Sequence, residues 1–224
     1  MFKWTKLHVA SVCRVPMLCG FMALFGNPVV GHPHVFVDGG VNFVFDDNNL
    51  VALHMVWLYD EFETLYMLSS YDLSLNAEGE LDEVDRQVLV QHRSDWPKDF
   101  DGSAHLSIAG QTISLQWPQN LDAQMIDGRL QITFTRNLDE PVGLSGLAAE
   151  VAFYESTFFF AFAVTHQPEL VGAGSRCNEE VLKYDPTTQD QQMQAALSRL
   201  SREETPGIVN VGALFADRII VTCE

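Results

Sequence analysis

The chain has 224 residues, 30 of them Asp or Glu against 13 Lys or Arg, and carries a formal charge of −17 at neutral pH. A surface this acidic repels phosphate backbones and anionic headgroups, which excludes nucleic-acid or lipid binding through a general electrostatic field. Hydrophobic residues make up 47% of the chain, enough for one domain with a real core.

The opening "MFKWTKLHVASVCRVPMLCGFMALFGNPVVG" carries Lys3, Lys6 and Arg14 and no acidic residue. A short apolar run follows at 15–25, and then small, turn-prone residues. This is the pattern of a secretory signal peptide, and the run is too short for a stable membrane span. Val29 and Gly31 suit the −3 and −1 positions of a cleavage site, so the expected division is a signal peptide at 1–31 and a single periplasmic domain at 32–224. The alternatives are an uncleaved anchor or a lipoprotein, and the latter is opposed by Val12 and Leu18 standing just before Cys13 and Cys19. Cleavage removes three basic residues and no acid, which makes the exported chain still more negative and concentrates cations near it.

The exported part starts with His32-Pro33-His34 and runs into "VFVDGGVNFVF", which alternates apolar and polar residues. "DDNN" at 46–49 is turn chemistry, and "LVALHMVWLY" after it is rich in strand formers, so the two runs predict a hairpin. Next comes "DEFETLYMLSSY", a predicted helix with Phe62, Leu65, Tyr66 and Ser69 on one face. "ELDEVDRQVLVQH" predicts a second helix. The loop between them mimics a calcium loop, with Ser74, Asn76, Glu78, Gly79, Asp82 and Asp85 at positions 1, 3, 5, 6, 9 and 12. Ser stands where Asp should open that loop and Asp where a bidentate Glu should close it, so a helix-loop-helix that keeps its shape without calcium is expected. Further strands are predicted at "SAHLSIAG" and "QTISLQW" (turning at Ala109-Gly110), "RLQITFTR", "LAAEVAFY", "STFFFAFAV" and "RIIVTC", with a last helix in "TTQDQQMQAALSRLSREE". The sum is an α+β fold, mainly antiparallel and sandwich-like, with a helix-loop-helix insertion and a C-terminal helix.

Pairing across the "DDNN" turn sets Phe45 opposite Leu50 and His34 opposite Glu61, with a one-residue slip allowed for a bulge at Gly39-Gly40. The open end of the hairpin then gathers His32, His34, Asp60 and Glu61. Imidazole with carboxylate is a ligand set for zinc, nickel or cobalt. Pro33 has no N–H to lose, so a free N-terminus at His32 cannot bind copper or nickel in a square plane through deprotonated amides. The plainer alternative makes both histidines a polar lead-in to a strand. His54 lies seven residues back along the second strand, about 23 Å away at roughly 3.3 Å per residue, and is expected to be satisfied on the sheet, as are His92, His105 and His166. The exported chain keeps only Cys177 and Cys223, which most simply form one disulfide, with two buried thiols or a metal pair as the alternatives.

"HPHVFVD" at the start of the exported chain, "WLYDE" at 57–61, "FYESTFFFAF" at 153–162 and "LFADRIIVTC" at 214–223 together resemble the bacterial family known as domain of unknown function 1007. The resemblance spans essentially the whole exported chain. It implies a periplasmic component of a transport system, associated with inner-membrane permeases for nickel, cobalt or zinc. It also implies roles for His32, Pro33 and His34, for Trp57, Asp60 and Glu61, and for the cysteines Cys177 and Cys223. Glu155-Ser156 departs from the Asp-Pro that the family leads one to expect, and the calcium-like loop is poorer in Asp.

The function expected is therefore a periplasmic accessory that binds a divalent transition metal and works with an inner-membrane metal permease. The competing reading is a structural or interaction domain of a transport system that binds no metal. No enzyme is expected: "GLSGL" around Ser145 lacks the final Gly of a nucleophile elbow, and no carboxylate pair stands beside a nucleophile.

Overall fold

Two strands of β-branched and aromatic residues, β1 (Val35–Asp46) and β2 (Asn49–Tyr59), form the expected hairpin around a turn at Asp47 and Asn48. The computed structural model describes residues 31–96, 100, 102–173, 176–201 and 203–224. Nearly all of the expected signal peptide, residues 1–30, lies outside the described residues.

The hairpin is the middle of a six-stranded sheet. β6 (Arg129–Gly143) pairs antiparallel with β2, and β5 (Gln119–Ile126) pairs with β6. On the other side of β1, β8 (Phe160–Val164) and the short β9 (Leu170–Val171) pair with it in parallel. The second sheet is antiparallel and runs β10 (Cys177–Leu182), β11 (Asp217–Cys223), β7 (Ala148–Phe153), β3 (Ala104–Ile108) and β4 (Gln111–Thr112). One hydrophobic core joins the sheets: Val37, Phe43, Leu53, Met55 and Phe134 from the first meet Leu106, Val151, Phe153, Ile219 and Val221 from the second. This is the α+β sandwich that strand periodicity predicts.

The hairpin register differs from the expected one in its place of slip. Phe45 does face Leu50, but the pairing shifts by one residue between Val44 and Phe45, leaving Val51 as the extra residue on β2. The bulge reverses the inside–outside phase of β2, so Leu50 and Leu53 both reach the core. Gly39 serves a close approach instead of a slip. A Cβ there would stand 1.9 Å from the Val56 carbonyl oxygen, so only glycine lets the two backbones meet.

Among the described residues, three α-helices pack outside the sheets: α1 (Glu61–Ser70), α2 (Glu83–Arg93) and α3 (Thr188–Leu197). The face of α1 picked out by the sequence is the outer one. Phe62 is 85% exposed, with Leu65 and Tyr66 exposed beside it, while Thr64, Met67 and Leu68 are buried. The reason is polar docking: Thr64 Oγ1 accepts a hydrogen bond from Leu130 N at the start of β6, which turns that side of the helix inward. Between α1 and α2, the calcium-like loop is held by its own hydrogen bonds. Asn76 Oδ1 accepts from Glu78 N and Glu80 N, Asp85 Oδ2 accepts from Ser74 N, and Asp82 caps α2.

Other elements depart from the sequence reading. "STFFFAFAV" is strand only from Phe160, because Glu155 closes a turn over 156–159. "QTISLQW" gives only the two residues of β4. The predicted last helix stops at Leu197. Strands β5 and β10 lie outside the sequence expectation, since "QNLDAQMI" and "CNEEVL" are too polar to read as strands. Asp217, the first residue of β11 and buried, ties the sheets together. Its carboxylate accepts from Val164 N at the end of β8 (2.8 Å), from Tyr184 N (2.8 Å) and from Lys183 Nζ (3.0 Å).

Candidate metal centre

His32 and His34 enter the fold just before β1, and the His34 N–H donates to the Phe159 carbonyl at 2.9 Å. Because β1 and β8 are parallel and paired from Val35 and Phe160 onward, both imidazoles lie over the Phe159 ring, with centroids 6.0 Å (His32) and 5.0 Å (His34) away. The two imidazole centroids are 4.7 Å apart, edge to face. His32 is only 4% exposed, and among the described residues its buried Nδ1 has no hydrogen-bond partner. The peptide bond between His32 and Pro33 is cis.

The two carboxylates expected to join them have other positions. Past the bulge, Val37 pairs with Tyr59, and the open end closes where Asp60 N donates to Phe36 O, so His34 does not face Glu61. Asp60 caps α1: Oδ1 accepts from Glu63 N at 2.8 Å and Oδ2 from Phe36 N at 2.9 Å. Both of its oxygens are thus engaged by backbone donors. Glu61 is the exposed first residue of α1. Among the described residues, no three His, Cys, Asp or Glu side chains are grouped as a metal ion would need. The fold brings the histidines together and leaves the carboxylates apart.

The carboxylate that feels His32 is one that no sequence pattern singles out. Glu204, after α3, is held below the usual carboxylate range, first by the Ser201 N–H and hydroxyl and then by the nearby His32.

The remaining histidines include three with clear partners. His54 Nδ1 lies 3.3 Å from Thr135 Oγ1, and burial pushes its pKa down. His105 stacks on Tyr154 at 3.8 Å, and His92 stacks on Tyr71 at 4.8 Å. Cys177 and Cys223 are direct cross-strand partners of β10 and β11, with Cα atoms 4.1 Å apart, and form the disulfide. The alternatives of free thiols or a metal pair are thereby replaced.

A second feature lies beside the histidines. Trp57, Arg93, Trp96, Phe100, Phe159 and Phe162 line a cleft of about 390 Å³. Its rim includes Glu155, whose carboxylate accepts from Thr157 N, Thr157 Oγ1, Phe159 N and Ser156 Oγ. The longer Glu at this position still closes the turn that presents Phe159.

The family described as "Protein of unknown function (DUF1007)" matches residues 17–223, nearly the whole chain. The chain belongs to the DUF1007 family. A relative from Haemophilus influenzae, described as "Uncharacterized protein", is 23% identical over 216 residues, covering 93% of this chain and 98% of its own length. The match to DUF1007 takes in His32 and His34 at one end and Cys223 at the other, so both the imidazole pair and the disulfide lie within the family's span.

Proposed function

We propose that this DUF1007 protein is a periplasmic accessory that binds a divalent transition metal, zinc, nickel or cobalt, and works with an inner-membrane metal permease. The observation that carries the reading is the imidazole pair, 4.7 Å between centroids, with a buried His32 Nδ1 that lacks a partner. A buried ring nitrogen without a hydrogen bond is costly, and a metal ion offsets that cost. Two imidazoles fill two of the four positions around tetrahedral zinc, leaving the others to solvent or to the protein that receives the ion. An incomplete ligand set suits transfer, as a closed set suits structural storage. Asp60 serves this reading as the cap that fixes the end of the hairpin, and Glu61 has no part in it. The disulfide suits an oxidising compartment. The reading assigns no catalytic step and no calcium.

Calorimetric titration of tag-free protein with zinc and nickel tests it. Saturable binding is expected, lost in H32A/H34A and weakened below about pH 6, where protons compete for imidazole. Equal affinity in the double variant overturns it. The second reading, an interaction domain that binds no metal, is favoured by the exposed α1 face of Phe62, Leu65 and Tyr66, since a contiguous exposed apolar patch marks a contact surface. It is the reading left standing if neither metal binds.

A further inference from the structure

The cleft between β2, β8 and the end of α2 has an aromatic lining and holds one arginine. Trp96 and Phe100 stack at 4.1 Å with their planes 19° apart, and Trp57 meets both edge-on at 6.2 and 6.0 Å. Arg93 reaches the same cleft from the last turn of α2. Its guanidinium has two phenol partners, with Nη2 donating to Tyr59 Oη at 3.1 Å and Tyr71 as the second, while among the described residues its Nε is buried with no acceptor. Among the described residues, Arg93 has no carboxylate partner. Trp57 adds a second unmet donor: the residue is 3% exposed, and among the described residues its buried Nε1 has no partner. Of the two carboxylates that line the cleft among the described residues, Asp95 makes no ion pair with Arg93, and Glu155 already accepts from four donors of its own turn.

We infer that this cleft binds a small organic carboxylate with a flat apolar body, its carboxylate received by Arg93 and its body seated among Trp57, Trp96, Phe100 and Phe162. A guanidinium offers a planar fork that matches a carboxylate, and an aromatic lining takes up a flat ring with little loss of freedom. A volume of about 390 Å³ lies within the range of small-molecule sites. The Trp57 N–H meets a ligand oxygen that enters more deeply. Phe159 lines the cleft and also packs on His32 and His34, so the two sites share a wall but no ligating group.

The test is fluorescence titration of the tag-free protein with 3-phenylpropanoate, 3-phenylpropanamide and acetate. The acid is expected to give saturable quenching of tryptophan emission, half-complete below about 1 mM, as a ligand of that size permits. The amide, which keeps the ring and loses the charge, should bind about tenfold more weakly or worse. Acetate, which keeps the charge and loses the ring, should give no saturable change. R93Q should erase the preference for acid over amide. W57F, which removes the indole N–H and keeps an aromatic ring, should weaken the acid severalfold. H32A/H34A should bind the acid as the parent does, which keeps this site separate from the metal reading. Equal binding of acid and amide by the parent protein overturns the inference without any variant, as does the absence of saturable binding. Retained acid preference in R93Q overturns the role of Arg93.

Discussion

Replacing Asp217 by Ala should be among the most damaging single changes away from the apolar core. The carboxylate takes three donors: Val164 N from the first sheet, Tyr184 N beyond β10, and Lys183 Nζ. Alanine leaves two backbone N–H groups without their acceptor, at about 1–3 kcal/mol each when buried. The loss of Lys183 adds little, because its side chain is 54% exposed and an ion pair in contact with water contributes only a fraction of a kcal/mol. The expected cost is therefore roughly 3–5 kcal/mol. For a domain of this size, each kcal/mol moves the melting temperature by about 2–4 °C, so D217A should melt roughly 6–20 °C lower. D217N keeps one acceptor oxygen and should fall between. Thermal and urea unfolding followed by circular dichroism measure both. A D217A protein within about 1 kcal/mol of the parent would show that the sheets are held by apolar packing alone, and would refute the stitching role.

Reduction of Cys177–Cys223, which are separated by 46 residues, should cost roughly 4 kcal/mol on the chain-entropy argument. Melting with and without a phosphine reductant, with free thiols counted, checks this, and an unchanged midpoint with two thiols released refutes it. His54 gives a pH signature. Burial lowers its pKa from the ordinary 6.5, so the folded state favours the neutral ring. Its contribution is complete above pH 6.5, the unfolded value, and is lost as pH falls below it toward the folded value. Melting temperatures between about pH 7.5 and 5.5 should fall more steeply for the parent than for H54Q, and parallel slopes refute the assignment.

The sandwich is legible wherever one periodicity rules a long segment. β1 and β2 alternate, are rich in β-branched residues and are separated by turn chemistry. β5 and β10 are hidden because edge strands answer to pairing more than to burial: Cys177–Leu182 buries nothing fully, yet pairs along its length with β11. On α1, apolar periodicity marks a face that solvent, or a partner, covers. A single threonine hydroxyl that meets a strand end decides the inward side, and no pattern of hydrophobicity encodes that. The candidate site is half legible. Pairing logic sets Asp60 at the open end of the hairpin, where it is, but its oxygens go to the Glu63 and Phe36 amides, because a residue that starts a helix is drawn into capping it. His32 and His34 meet over Phe159, a contact made by the turn that leads into a parallel strand more than half the chain away. Arg93 is not legible, since an arginine in the last turn of a helix is ordinary, and only the fold shows it standing without an acid.

The parallel pairing of β1 with β8 sets an order of events during synthesis. β1 leaves the ribosome first, and β2 can pair with it at once through a two-residue turn. Its other edge has no partner until Phe160–Val164 has been made, because hairpins form locally while a parallel neighbour must come back from a distance. For most of the time of synthesis, that edge of Val35–Asp46 is a bare row of amides and carbonyls bearing Val37, Val41, Phe43 and Phe45, the kind of strand that recruits another chain. Until the second half arrives, that edge of β1 has no partner within the chain. Shortening the delay, by a circular permutation that places β8 ahead of β1, should reduce aggregation during refolding without altering the finished sandwich.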